Sequence, residues 1–218
     1  MTSALPIDMV SDVVCPWCFI GKRRLEKAIA LRPDIPVEVR FRPYFLNPWV
    51  PREGISRNEY LTIKFGSPEH YCAIAQRVAQ AAAAEGLTYE LDEIKRQPNT
   101  LDCHRLILWA GDTAARMKQR LMELYFAEGA DLTDRDVLVT AAATCGLDAP
   151  RVRERLGSEE DVERITREAD SAKEAGINGV PCFIFAGRFA VQGAQAPEHL
   201  AQAIARAANE RAERQPAD

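Results

Sequence analysis

Cys15 and Cys18, separated by Pro16 and Trp17, are the residues of this chain best placed to do chemistry. Two thiols at that spacing can close a disulfide, supply half of a metal site, or fall together by chance among six cysteines. A zinc site needs a second ligand pair at compatible spacing, such as another C-x-x-C or two histidines a helical turn apart. Cys72, Cys103, Cys145 and Cys182 stand apart from one another, so the chain offers no second pair. The context favours a redox pair. Ile7 to Val14 reads as a buried strand running into a turn, and the residues from Pro16 on read as an amphipathic helix, so both thiols lie where a strand hands over to a helix. A helix N-terminus carries unsatisfied N–H groups and a partial positive charge, which favours the reactive thiolate form of cysteine. Proline suits the first helical turn, where its missing N–H would have no partner anyway. Cys15 is expected as the exposed nucleophile at the cap. Cys18 is expected one turn below it, shielded and placed to close a disulfide back onto Cys15.

The elements that position this pair follow from periodicity and capping. Leu5 to Val13 is predicted to form a strand. Pro16 to Ala30 is predicted to form a helix with Ile20, Leu25, Ala28 and Ile29 inward and Lys22, Arg23, Glu26 and Lys27 mostly outward. Pro36 to Tyr44 alternates Val37, Val39 and Phe41 with Glu38, Arg40 and Arg42, the pattern of a half-buried strand, which completes a βαβ unit. From Ser56 to about Ala175 the pattern is helical, with no convincing strand. Ser56 and Glu59 form a capping box, Ser67 precedes Pro68, Asn99 caps a helix bearing Leu101, Leu106 and Trp109, and Pro150 and Ser158 open two more. Strands return at Cys182–Phe185 and Arg188–Val191, joined by Ala186-Gly187 as a hairpin, and Pro197 opens a last helix to about Arg211. The polar tail beyond is expected to fray.

The outer segments thus read β-α-β and β-β-α around a helical insertion. The expected fold class is α/β: a thioredoxin-like fold divided as 1–52, an inserted α-helical domain 53–175, and 176–218. Gly179-Val180-Pro181 stands directly before the third strand of the sheet, where proline is tolerated because it need not donate to a ladder. In a thioredoxin-type arrangement this position is a cis-proline facing the C-x-x-C, leaving the backbone of Val180 free to pair with an extended substrate.

Other residues carry weaker signals. His104, on a helix beside Leu106 and Trp109, reads either as a partly buried structural residue or as an imidazole tuning Cys15. Asp12 reads either as a capping or solvated carboxylate or as a proton-transfer partner for the buried thiol. Trp17 is expected at the surface, shaping a substrate groove, and Trp49 and Trp109 as packing residues between domains. The formal charge of −4 gives no electrostatic reason for a nucleic-acid or anionic-membrane partner. No apolar run is long enough for a membrane helix, and the N-terminus lacks the pattern of a secretory signal, so a cytoplasmic location is expected. There a C-x-x-C is catalytic or redox-sensing rather than part of a disulfide framework. No metal motif or phosphate-binding glycine loop is present, and no cofactor is expected.

The chain resembles the DsbA family of thiol–disulfide oxidoreductases, and within it the cytoplasmic FrnE-like branch. The resemblance is carried by Ser11 to Gly21 around the Cys15–Cys18 pair, Leu46-Asn47-Pro48, His104-Arg105-Leu106, Glu128-Gly129, Gly179-Val180-Pro181 and Gly193-Ala194-Gln195. The chain departs from its relatives at Cys182 and Cys103. The resemblance implies dithiol chemistry by Cys15 and Cys18, with Pro16, Trp17, Val180 and Pro181 meeting the substrate, and thiols or disulfides of proteins or small molecules as partners. The same superfamily holds glutathione-dependent isomerases and kappa-class transferases, whose first motif position is similar to serine. Retention of both cysteines favours the redox branch, and glutathione stays open as a partner.

Overall fold

The structure, a computed structural model, describes residues 4–213. β1 (Leu5–Ser11) and β2 (Val37–Pro43) pair in parallel, with Leu5 opposite Val37 and Ser11 opposite Pro43, and α1 (Pro16–Ala30) makes the crossover between them. Parallel strands cannot be joined by a tight turn and need such a crossover. β5 (Cys182–Phe185) pairs antiparallel with β1, and β6 (Phe189–Gln192) antiparallel with β5, giving the sheet order β2-β1-β5-β6. α9 (Pro197–Ala212) packs against α1. The expected α/β class holds in this arrangement.

Alternation along the strands separates two apolar layers. Ile7, Met9, Phe183 and Phe185 point into the main core with Phe19, Ile20 and Leu25 of α1. Val10 and Cys182, opposite each other in the ladder, point to the other face and pack with Tyr44 and Ile177.

Between β2 and β5 the chain forms α2 (Arg57–Phe65), α3 (Pro68–Ala84), α4 (Leu101–Trp109), α5 (Ala114–Phe126), α6 (Arg135–Thr144), α7 (Ala149–Leu156) and α8 (Val162–Glu174). Their starts follow local capping chemistry: the hydroxyl of Ser56 accepts the Glu59 N–H, that of Ser67 accepts the His70 N–H, and the Asp148 carboxylate accepts the Arg151 N–H. Asn99 accepts the Leu101 N–H at 3.0 Å, one residue ahead of the positional cap, Thr100.

Several expectations need correction. The segment read as lacking strands contains β3 (Ile55–Ser56) and β4 (Arg96–Gln97), paired antiparallel. Two-residue strands are too short to imprint an alternation on the sequence. Ser158 does not open α8; it accepts the Glu160 N–H in the preceding turn, and the helix starts after Asp161, whose φ is 60°. Lys22 is buried, not outward, because its stem lies under α5 while its ammonium reaches Gln119 Oε1 and Glu26 Oε1. Trp49, although exposed, stacks on Tyr60 of α2 and so joins residues 1–52 to the helices, whereas Trp109 bonds to Asp161 between α4 and α8 and packs within the helical segment. The polar tail read as fraying lies, beyond residue 213, outside the described residues.

Arg105 locks α4 in place. Its guanidinium, wholly buried, donates to the carbonyls of Arg155, Ser158 and Glu160 and to Asp102 Oδ1, and stacks 4.8 Å over Trp109. Lysine cannot reproduce that planar fork. Arg105→Met is expected to lower unfolding stability by about 2–4 kcal/mol, since three carbonyls and a carboxylate lose a charged donor. Urea denaturation tests this, and Arg105→Lys should recover less than half of the loss.

Candidate active site

Cys15 is the N-cap residue of α1, with extended backbone angles, and Pro16 occupies the first helical position. The Cys15 carbonyl accepts the N–H groups of Cys18 and Phe19 at 3.0 and 3.2 Å, and its own N–H donates to the Asp12 carbonyl. The turn from β1 therefore delivers Cys15 to the helix start, as the strand–helix reading requires. Both motif thiols are free. Cys18 has no solvent exposure; burial pushes its thiol well above the ordinary 9.0, and the neighbouring Cys15 adds to that shift.

Cys15 departs from expectation in being covered, with only 3% of its surface exposed. The cover is the segment before β5: Cys15 Sγ lies 3.6 Å from the Val180 carbonyl oxygen, to which the thiol donates. The Val180–Pro181 peptide bond is cis. Two features hold this segment against α1. The Gly193 N–H donates to the Pro181 carbonyl at 2.8 Å, and the φ of 79° there accounts for the glycine late in the chain. Gly21 lets Pro181 approach, since a Cβ there would sit 2.8 Å from Pro181 Cγ. Trp17, 38% exposed, stands beside the site on the first turn of α1.

Beneath the thiols lies a polar floor. Asp12 is wholly buried, and its carboxylate accepts the N–H groups of Val13 at 2.7 Å and Leu46 at 2.8 Å. His104 Nε2 stands 3.3 Å from Asp12 Oδ1, close enough for an ion pair but misaligned for a hydrogen bond. Burial raises the Asp12 carboxyl, yet His104 and the N–H of Leu46 outweigh it and hold the group below its ordinary 3.8. Asp12 and His104 thus meet each other at the floor of the site. The first is anchored to the loop after β2, and the second is carried in by α4.

Two lysines at this site gave no motif in the sequence. Lys118 of α5 is fully buried, and its ammonium has no hydrogen-bond partner. Its signal was positional: it lies on the same helical stripe as Met117, Leu121, Met122 and Tyr125, all buried. Lys64 of α2 donates to Asn47 Oδ1 at 2.5 Å and lies 5.5 Å over the Tyr60 ring. Burial lowers its pKa, while the charges of Cys15 and Asp12 act in the opposite direction. Among the described residues no cluster of three histidine, cysteine or acidic side chains could hold a metal ion.

Residues 6–205 match the DSBA-like thioredoxin domain. The chain belongs to that family. A structure described as a probable DsbA oxidoreductase from Streptomyces coelicolor is 32% identical, superimposes with a TM-score of 0.87, and is matched over 98% of this chain and 93% of its own. An uncharacterized protein of Bacillus subtilis, YwbO, is 26% identical across 91% of this chain and 94% of its own. The glutathione-bound structure of the cytosolic disulfide reductase DsbM from Pseudomonas aeruginosa shares the fold, with 18% identity, a TM-score of 0.61, and coverage of 96% and 98%. Among the described residues no helix is long and apolar enough to cross a membrane.

Two measurements probe this site. Asp12 has a depressed carboxyl, so its contribution to stability is fully present above 3.8 and is lost as pH falls through its lower native value. Asp12→Asn should cost roughly 2 kcal/mol near neutrality, and the gap to the native chain should narrow only below about pH 4, as read from urea midpoints. Alkylation separates the remaining thiols. Cys72 is exposed, whereas Cys103, Cys145 and Cys182 are buried. Cys72 should label within the dead time of a manual assay and the other three only on unfolding; rapid labelling of Cys182 would mark it as a third redox participant.

Proposed function

We propose that this member of the DsbA-like family is a thiol–disulfide oxidoreductase of the FrnE-like branch, working in the cytoplasm with Cys15 and Cys18 as its redox pair. The observation that carries the reading is the position of Cys15 at the cap of α1 with its sulfur 3.6 Å from the Val180 carbonyl, directly above a buried Cys18. Cys15, as thiolate, attacks one sulfur of a substrate disulfide and expels the other as a thiolate, forming a mixed disulfide. Cys18 then attacks Cys15 Sγ, the bond to the substrate breaks, and reduced substrate leaves an oxidised Cys15–Cys18 pair. Reversed, the same steps oxidise a substrate dithiol, and attack on a scrambled substrate isomerises it. Pro16, Trp17, Val180 and Pro181 form the substrate rim, and the Val180 backbone is the edge that an extended chain would pair with. The division into 1–52, 53–175 and 176–218 belongs to this reading: the helical segment brings His104 to the floor of the site.

The second reading is a glutathione-dependent isomerase or transferase, in which the cofactor supplies the thiol. It is favoured by Lys64, whose ammonium lies within electrostatic reach of Cys15 and would meet a carboxylate of a small acidic thiol. The relative solved with glutathione shares only the fold.

Variants purified under acid quench separate the two. Cys18→Ser should accumulate mixed disulfides on Cys15 that dissolve on reduction, while Cys15→Ser should trap at least about tenfold less, because the buried Cys18 lacks access. If Cys18→Ser carries no more adduct than the double variant and binds glutathione without covalent capture, the isomerase reading takes its place.

A further inference from the structure

Lys64 and Arg57 of α2 hold two cations against one aromatic ring, and among the described residues neither forms an ion pair with a carboxylate. The Arg57 guanidinium lies 5.1 Å from the centre of the Tyr60 ring and donates to Gln97 Oε1 and the Tyr125 hydroxyl. The Lys64 ammonium lies 5.5 Å from the same ring and donates to Asn47 Oδ1 at 2.5 Å. On α1, by contrast, Arg24 and Lys27 share Glu85, and Lys22 has Glu26. Asn47 is buried, and its amide nitrogen has no hydrogen-bond partner. A buried amide left half-satisfied is unfavourable, so the fold accepts a cost to fix Lys64 where it stands. A methionine would cover the Tyr60 ring as well, so packing does not explain the charge. An ammonium has three donors, and Asn47 takes one; Lys64 is exposed, with two left over. Trp49, 43% exposed, stacks on Tyr60, so the ammonium stands at the edge of an open aromatic shelf.

Three hydrogen bonds connect this cation to the nucleophile. The Cys15 N–H donates to the Asp12 carbonyl at 3.3 Å, Asp12 Oδ2 accepts the Leu46 N–H at 2.8 Å, and Asn47, the next residue, accepts from Lys64. A few residues of extended substrate, at about 3.3–3.6 Å each, bridge that path. We propose that Lys64, positioned by Asn47, is a specificity-determining residue that binds a carboxylate carried by the substrate a few residues from the attacked sulfur, an inference that rests on the thiol–disulfide reading above. The two unused donors of the ammonium suit the two oxygens of a carboxylate, and the unneutralised Arg57 on the same ring adds to the local positive field. The chain as a whole carries a formal charge of −4, so this cation pair is a local exception that draws an anionic group to the rim of the site. Of the charges around Lys64, that of a Cys15 thiolate acts on it most strongly, in keeping with the hydrogen-bonded path. The recognised chemistry is the same for an acidic side chain flanking the substrate cysteine and for a terminal carboxylate of a short peptide.

The test uses a parent chain carrying Cys18→Ser and Cys72→Ser, which leaves Cys15 to react while Cys103, Cys145 and Cys182 stay buried. Its probes are blocked peptides with one cysteine joined by a disulfide to a neutral pyridinethiol. The Cys15 thiolate attacks the peptide sulfur, the S–S bond breaks, and the electron pair leaves on the pyridine sulfur, whose absorbance is read. Paired peptides differ only in Glu or Gln near the cysteine, and a further pair only in a free or amidated C-terminus. At least one acidic member should react at least about threefold faster than its neutral partner at low salt, and the advantage should fade toward unity near about 1 M salt. Lys64→Met should abolish the advantage, and Lys64→Arg, which keeps the charge, should retain part of it. An advantage at a Glu position assigns the carboxylate to a side chain, and one at the C-terminus alone assigns it to a chain end. The parent chain by itself can overturn the proposal, by favouring no acidic member or by an advantage that salt leaves unchanged. An advantage that survives in Lys64→Met, or that Lys64→Arg loses as fully as Lys64→Met, also overturns it. If the parent releases pyridinethiol from none of the peptides, acidic or neutral, the thiol–disulfide reading itself falls, and this inference with it.

Discussion

The parallel pairing of β1 with β2 is the constraint from which the site follows. A parallel pair forces the chain to cross from the end of one strand to the start of the next, and α1 makes that crossing. The helix must therefore begin just beyond the carboxyl end of β1, and its free N–H groups collect there. Whatever residue joins strand to helix stands at that end, and here it is Cys15. β5 runs antiparallel on the other side of β1, so it begins where β1 finishes, with Cys182 opposite Val10. The two residues before β5 are then carried to the same end of the sheet as the helix cap. The contact between Cys15 Sγ and the Val180 carbonyl is a consequence of strand directions, secured by a glycine at position 21 that leaves room for Pro181.

Around that junction the protein buries an unusual amount of charge. Asp12, His104, Arg105, Lys22 and Lys118 are all inside, where an ion without partners is strongly disfavoured. Four of the five are accommodated by nearby groups. Asp12 takes two backbone N–H groups and the company of His104, Arg105 clasps the turn between α7 and α8, and Lys22 bridges α1 to α5. These contacts tie the helical segment to the strand–helix junction, because α4 supplies His104 and α5 supplies Gln119. The helices thus form part of the site's floor and wall.

The placement of the Cys15–Cys18 motif at a strand–helix junction, the order β-α-β and β-β-α, the helical character of the middle of the chain and most helix starts were legible in the sequence. Each depends on neighbours a few residues away. Alternation along β2, the capping hydroxyls of Ser56 and Ser67, the proline after Cys15 and the Ala186-Gly187 turn act through local geometry that any tertiary context must respect.

Other features were settled only by elements far apart in sequence. The cap position made Cys15 look exposed, but the segment before β5, 165 residues away, covers it. Lys22 looked outward on α1 until α5 was packed across its stem, and β3 and β4 exist only because residues 55–56 and 96–97 meet. His104 and Asp12, each ambiguous alone, became a pair when α4 was brought over the end of β1. Lys118 drew no reading from the sequence, because nothing local distinguishes a buried lysine on an apolar stripe from one that snorkels to water. Local propensity acts over a turn of helix or a few residues of strand, whereas burial of charge is decided by which surfaces meet, and only the folded chain determines that.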